Sequence, residues 1–229
     1  MSSVTAIILI LVSAVGSCAE GANAADAADA AESERIVLVT AYAPFDGRSL
    51  NGSATVAAAI QGKPVAGARI ATLVLPVRWG EPQRRLPEEI ARLKPVLVLG
   101  LGEGRPGVIT FERVAKNRAD HPDIDHAKPP APTLDAQGPA TRATRLAFDT
   151  AWFPKPPVPI GPSDDAGAYL CNSMLYCALG QAVEKTGFMH LPPQGATADA
   201  AYAETYAPIV LTLIEKNLIP PAPTLPRLP

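Results

Sequence analysis

Two runs of consecutive aliphatic residues, Ile36-Val37-Leu38-Val39 and Val96-Leu97-Val98-Leu99, constrain this chain more than anything else in it. Neither alternates apolar with polar residues, which is the pattern of a strand covered on both faces. Between and after them the period changes. Ser53 to Gln61 reads as a short helix with Ser53 as its N-cap. Ala68 to Val77 reads as a strand, and Glu81 to Leu93 as an amphipathic helix with Leu86, Ile90 and Leu93 on one face despite Pro87. Val108 to Lys116 reads as another strand, 171–186 as a helix, 187–191 as a strand and about 200–217 as a last helix. Strands alternating with helices predict an α/β sandwich around a mostly parallel sheet, occupying residues 35–217.

The remainder of the chain reads differently. Residues 6–12 form an apolar run too short to span a bilayer, the core of a signal peptide over 1–24. Val15-Gly16-Ser17-Cys18 is similar to a lipobox, and Ala22-Asn23-Ala24 offers a second cleavage site. An Ala-, Asp- and Glu-rich spacer covers 25–34, the Pro-rich stretches 128–132 and 154–162 read as loops, and a Pro-rich tail covers 218–229. The expectation is an exported protein, periplasmic or held to a membrane only through a lipid on Cys18; if the N-terminal segment is not a signal, the protein is cytoplasmic. A net charge of −2 with no basic run leaves no footprint for nucleic acid. A homo-oligomer stays open. Cys171 and Cys177 are six apart; on one helix they are separated by about 9 Å along its axis, beyond the reach of a disulfide.

The chemistry concentrates around Cys171. The stretch Ser163-Asp164-Asp165-Ala166-Gly167-Ala168-Tyr169-Leu170-Cys171-Asn172 ends in a cysteine at a turn-to-helix junction. A buried structural thiol is one reading; a thiol activated by the positive end of a helix is the other. Cys177 has no such context and reads as core. His190, in Gly187-Phe188-Met189-His190-Leu191-Pro192, is either a strand-end core histidine or the base that takes the thiol proton. Glu112 lies in an apolar run and needs a partner, Arg113 being the nearest in sequence. His121, His126, Asp120, Asp123 and Asp125 could suggest a metal site, but their spacing fits no zinc pattern, and a solvated loop accounts for them. Gly104-Arg105 reads as a turn, because no phosphate-loop lysine follows.

Three segments in this order, Glu112-Arg113 through Asn117 (ERxAxN), the cysteine stretch (SxxAGxYLCN) and the histidine stretch (GFxHxP), together with Pro44-Phe45, make the chain resemble pyroglutamyl peptidase type I over roughly 35–215. These are cysteine peptidases. The resemblance implies a three-layer α/β/α fold and hydrolysis of an N-terminal pyroglutamyl residue from peptide substrates, with no cofactor and no metal. It implies catalytic roles for Cys171, His190 and Glu112, and substrate-binding roles for Tyr42, Phe45 and Asn51. Three departures stand beside it: Ala41 in place of the glycine of GFxPF, Gly52 in place of the proline after Asn51, and Pro122 where the family has an arginine. They motivate two alternatives, an exported non-catalytic binding protein on the same fold and a thiol hydrolase of altered acyl specificity.

Overall fold

The computed structural model describes residues 35–219. The expected leader and spacer, Cys18 included, and the tail from 220 onward lie outside the described residues. In chain order the elements are β1 (Arg35–Tyr42), α1 (Gly52–Ile60), β2 (Pro64–Val65), β3 (Ala68–Leu75), α2 (Glu81–Leu93), β4 (Leu97–Glu103), β5 (Ile109–Glu112), β6 (Val114–Lys116) and β7 (Thr141–Ala143). A 3-10 turn at Thr150–Trp152 follows, then β8 (Ile160–Ser163), α3 (Leu170–Leu179), β9 (Lys185–Leu191) and α4 (Asp199–Leu218).

Seven strands form one sheet in the order β2-β3-β1-β4-β9-β5-β8. β3, β1, β4 and β9 run parallel to one another. β5 is antiparallel to β9, and β8 pairs parallel with β5 at the far edge. β6 and β7 make a separate two-stranded ribbon. The fold is an α/β/α sandwich around the mostly parallel sheet that the aliphatic runs predict. Because side chains alternate across a strand, β1 sends Val37, Val39 and Ala41 to the layer of α1 and α4, packed on Val56, Ile60, Val210 and Leu213. It sends Leu38 and Tyr42 to the layer of α2 and α3, with Leu86, Met174, Leu175 and Phe188. Each such aliphatic side chain stabilises the fold by about 1.5–3 kcal/mol through burial.

Four local expectations are revised. Asn51, not Ser53, caps α1: its side chain accepts from the Ser53 N–H at 3.0 Å and the Ser53 hydroxyl at 2.7 Å. The strand expected over 108–116 divides at Arg113, with β5 in the main sheet and β6 in the ribbon. The helix expected over 171–186 ends at Leu179. There Arg145 donates to the Leu179 carbonyl at 2.9 Å, an acceptor that another helical turn would have used, and Arg142 adds a bond to the Tyr176 carbonyl at 2.8 Å. The Pro-rich 154–162 stretch, read as loop, contributes β8; Pro162 is tolerated because β8 is an edge strand.

α1 and α4 pack closely where Gly52 begins α1. A Cβ at Gly52 would stand 2.4 Å from the Tyr202 hydroxyl and 2.5 Å from its ring carbon. The ring of Tyr202, on α4, therefore fills the volume that a side chain at 52 would need. Gly52→Ala is expected to cost about 1–3 kcal/mol through overpacking, read as a lowered Tm. In a Tyr202→Ser background the same substitution should cost much less. An equal loss in both backgrounds would show that this contact is not the cause.

Candidate active site

β9 carries His190 between two strands that shape its surroundings. On one side its register partner is Gly102 of β4; on the other it is Thr110 of β5. Glu112, two residues on from Thr110, shares its face of the sheet and lies diagonally across from His190. His190 Nδ1 stands 2.9 Å from Glu112 Oε1, and the Thr110 hydroxyl donates to the same oxygen at 2.6 Å. Glu112 is 1% exposed and His190 9%. Arg113, one residue further, faces the opposite way and pairs with Asp164 in solvent. Alternation along the strand thus decides between the two partners open to Glu112, in favour of the histidine.

Cys171 is the second residue of α3, whose first intrahelical hydrogen bond runs from the Ser173 N–H to the Tyr169 carbonyl at 3.0 Å. The amides of Leu170, Cys171 and Asn172 precede it and have no acceptor within the helix. Below the thiol lies β4. A Cβ at Gly102 would come within 2.7 Å of Cys171 Sγ and 2.9 Å of the Phe188 ring, so the bare backbone there is what lets the sulfur sit over the strand. Phe188 meets the His190 ring edge-on at 4.9 Å between centroids.

Burial opposes a charge on His190. The charge and hydrogen bond of Cys171 outweigh that, joined by those of Glu112, and push the imidazole up to about 10. Burial likewise opposes the charge on Glu112. Hydrogen bonds from His190, Ser163 and Thr110 overcome it and hold the carboxyl below its ordinary value. Glu112 Oε2 has no hydrogen-bond partner among the described residues. The raised imidazole contributes stability below its unfolded value, lost as pH rises through about 10. The lowered carboxyl contributes stability above its unfolded value, lost as pH falls through its folded one. Cys177 is different: burial pushes its thiol up to about 11, and it donates to the Pro82 carbonyl at 3.4 Å. Cys171 and Cys177 are both free.

A cleft of about 840 Å³ opens beside the start of α3, walled by Phe45, Arg48, His121, Pro122, Ile124 and Tyr169. Of the substrate-side expectations, Phe45 is in this wall. Tyr42 is buried, and its hydroxyl donates to the Leu170 carbonyl at 2.5 Å, bracing the turn that presents Cys171. Asn51 is 2% exposed, and beyond capping α1 it donates to the Ala43 carbonyl at 3.2 Å. Its side chain holds the loop that carries Phe45.

A sequence profile of the family described as pyroglutamyl peptidase matches residues 35–207. A pyrrolidone-carboxylate peptidase of Yersinia pestis is 33% identical over 193 residues, covering 79% of this chain and 90% of that protein. One from Chromobacterium violaceum is 32% identical over 164 residues, covering 69% and 78%. Among solved structures, a mutant pyrrolidone carboxyl peptidase from Pyrococcus furiosus superposes with a TM-score of 0.72 at 25% identity, over 80% of this chain and 98% of that one. The chain belongs to the pyroglutamyl peptidase family. It is a hydrolase of the pyroglutamyl-peptidase type.

Against the family pattern, two of the three departures find local explanations. The Ala41 methyl packs in the core on the face opposite Tyr42, so it does not crowd the cleft. Gly52 accommodates Tyr202, and its N–H donates to Glu103 at 2.7 Å, a bond that proline could not make. Pro122 lies in the cleft wall in a loop held by Asp123, whose carboxylate accepts from the amides of Trp79, Asp125 and Ala127, each at 3.0 Å. Asp125 pairs with Arg78. Among the described residues no group of three or more His, Cys, Asp or Glu side chains is arranged to hold a metal ion.

Sequence reasoning missed two polar residues that frame the site. Asn172 accepts from the Lys116 N–H at 2.8 Å and donates to the carbonyls of Lys116 and Arg118, tying the cysteine helix to the segment that leaves Glu112. Glu103 ends β4 and gathers the loops on either side of it. Its signal was a carboxylate closing an otherwise uncharged strand.

The order of influences on His190 is measurable by NMR titration of the imidazole. Cys171→Ala is expected to lower its pKa more than Glu112→Gln does, since the thiol side contributes most of the rise. The reverse order would show that Glu112 dominates.

Proposed function

We propose that this protein removes an N-terminal pyroglutamyl residue from peptides, with Cys171 as nucleophile, His190 as acid and base, and Glu112 holding His190. The observation that carries this reading is the buried Glu112–His190 contact at 2.9 Å, with Cys171 acting on the same imidazole, in a chain of this family. The Cys171 sulfur, as thiolate, attacks the pyroglutamyl carbonyl carbon and forms a C–S bond. The negative oxygen of the tetrahedral intermediate is received by the unpaired amides at the start of α3; one such donor is worth about 3–4 kcal/mol in the transition state. The C–N bond then breaks, and the His190 imidazolium gives its proton to the leaving amine. That leaves a thioester on Cys171 and a neutral imidazole. His190 next takes a proton from water, whose oxygen attacks the thioester. Pyroglutamate leaves, and the thiolate–imidazolium pair is restored.

Glu112 has two tasks in this scheme. It fixes the tautomer by accepting from Nδ1, so that Nε2 is the nitrogen that exchanges protons. It also keeps the imidazolium from being an unpaired buried charge. The lactam ring is neutral and flat, and it is received against Phe45 in the wall beside α3.

Steady-state kinetics with a pyroglutamyl-amine reporter test this. The wild-type chain should release the amine, and Glu112→Gln should lower kcat by about 10²- to 10⁴-fold with KM little changed. A Glu112→Gln effect on KM alone would remove Glu112 from the chemistry. Iodoacetamide labelling of Cys171 without reporter turnover would point to a thiol hydrolase of another acyl specificity. Absence of both would point to a non-catalytic binding protein.

A further inference from the structure

Glu103 closes β4 with its side chain only 4% exposed. A carboxylate buried to that degree needs donors, and it has three. Oε1 accepts from the Gly52 N–H at 2.7 Å and the Gln194 N–H at 2.9 Å, and Oε2 from Arg48 Nη1 at 2.5 Å. Gly52 is the first residue of α1, so the positive end of that helix also faces the carboxylate. Gln194 follows β9, the strand of His190.

Arg48 in turn closes a tight turn. Its N–H donates to the Phe45 carbonyl at 3.1 Å, and Asp46 and Gly47 between them have φ of 59° and 71°. Two successive positive φ values under one such bond mark a type I′ turn, which the Asp-Gly pair favours. The turn sets its two flanking side chains together: the Arg48 guanidinium carbon lies 4.2 Å from the centre of the Phe45 ring. Both residues line the cleft. Arg48 therefore has one edge anchored on a buried charge and its plane against the ring proposed to receive the lactam. A flat cation suits that double contact, where a lysine would supply only the charge.

We propose that Arg48 and Glu103 are positioning residues that hold Phe45 in the cleft wall, and so set affinity for the pyroglutamyl group without taking part in acyl transfer. This rests on the reading given under Proposed function. The side-chain hydrogen bonds of the pair go to Gly52, Gln194 and each other, none of them to Cys171, His190 or Glu112.

The test uses the full chain and the pyroglutamyl-amine reporter. Arg48→Met should raise KM on the order of tenfold while kcat stays within about twofold. Glu103→Gln keeps an acceptor oxygen for the two amides but releases the arginine, and should raise KM similarly. Because both act through one ring, the double variant should be no worse than Arg48→Met alone. Arg48→Lys should restore only part of the loss. Cys171 alkylation by iodoacetamide should keep its wild-type rate throughout, and thermal melts check that each variant is folded. Wild-type KM in both single variants, with Tm alone reduced, would reduce the pair to a structural role and overturn the proposal. So would a kcat that falls in step with kcat/KM. A wild-type chain that releases no amine would overturn the function reading and this proposal with it; normal wild-type turnover beside unaffected variants would overturn this proposal alone.

Discussion

Glu112 is a carboxylate inside the sheet, and the arrangement around it follows from the need to keep it there as a charge. Burying an ionised carboxyl is costly unless a partner of opposite charge and hydrogen bonds come with it. His190 and Thr110 supply the short bonds, and both lie on the face that Glu112 itself occupies. The charge and hydrogen bond of Cys171, together with those of Glu112, raise the pKa of this imidazole. The same contact that makes Glu112 tolerable in the core therefore also fixes the ring of His190.

Sheet topology makes this possible. β9 is parallel to β4 and antiparallel to β5, so His190 has a bare strand backbone at Gly102 on one flank and a carboxylate-bearing strand on the other. Cys171 descends from α3 into the space over Gly102, and α3 is itself held at both ends. Tyr42 takes the carbonyl of Leu170 at its start, while Arg142 and Arg145 take those of Tyr176 and Leu179 at its close. The loop that carries Phe45 is tied separately, through Asn51 and the Arg48–Glu103 pair. The Cys171 helix and the cleft wall are thus supported by different contacts, which is why a change to one is expected to leave the other intact.

Much of this was legible in the residues. The aliphatic runs at 36–39 and 96–99 announce strands buried on both faces, and the Cys171, His190 and Glu112 segments stand out because a polar or nucleophilic group follows apolar residues at an element boundary. The elements that escaped are those whose form depends on partners distant in sequence. β8 is a strand only because β5 offers it an edge. α3 stops at Leu179 because arginines more than thirty residues earlier reach its carbonyls. Asn51 rather than Ser53 caps α1, a choice that the hydrogen bond from Ser53 to Asn51 settles locally but that two capping residue types two positions apart leave ambiguous in sequence. Tyr42 could be seen as an aromatic near the site, yet nothing in its neighbours reveals that its hydroxyl is committed to Leu170.

The central claim is that Cys171 becomes acylated by the pyroglutamyl group. Mixing the full chain with a pyroglutamyl-amine substrate, quenching with acid within the first turnovers and measuring peptide masses tests it directly. The account predicts a mass gain of one pyroglutamyl group on the peptide that contains Cys171. It predicts none on the peptide that contains Cys177 where a digest separates the two, and no adduct at all in Cys171→Ala. Release of the amine by a Cys171→Ala chain at the wild-type rate, or an adduct carried on any other residue, would contradict it.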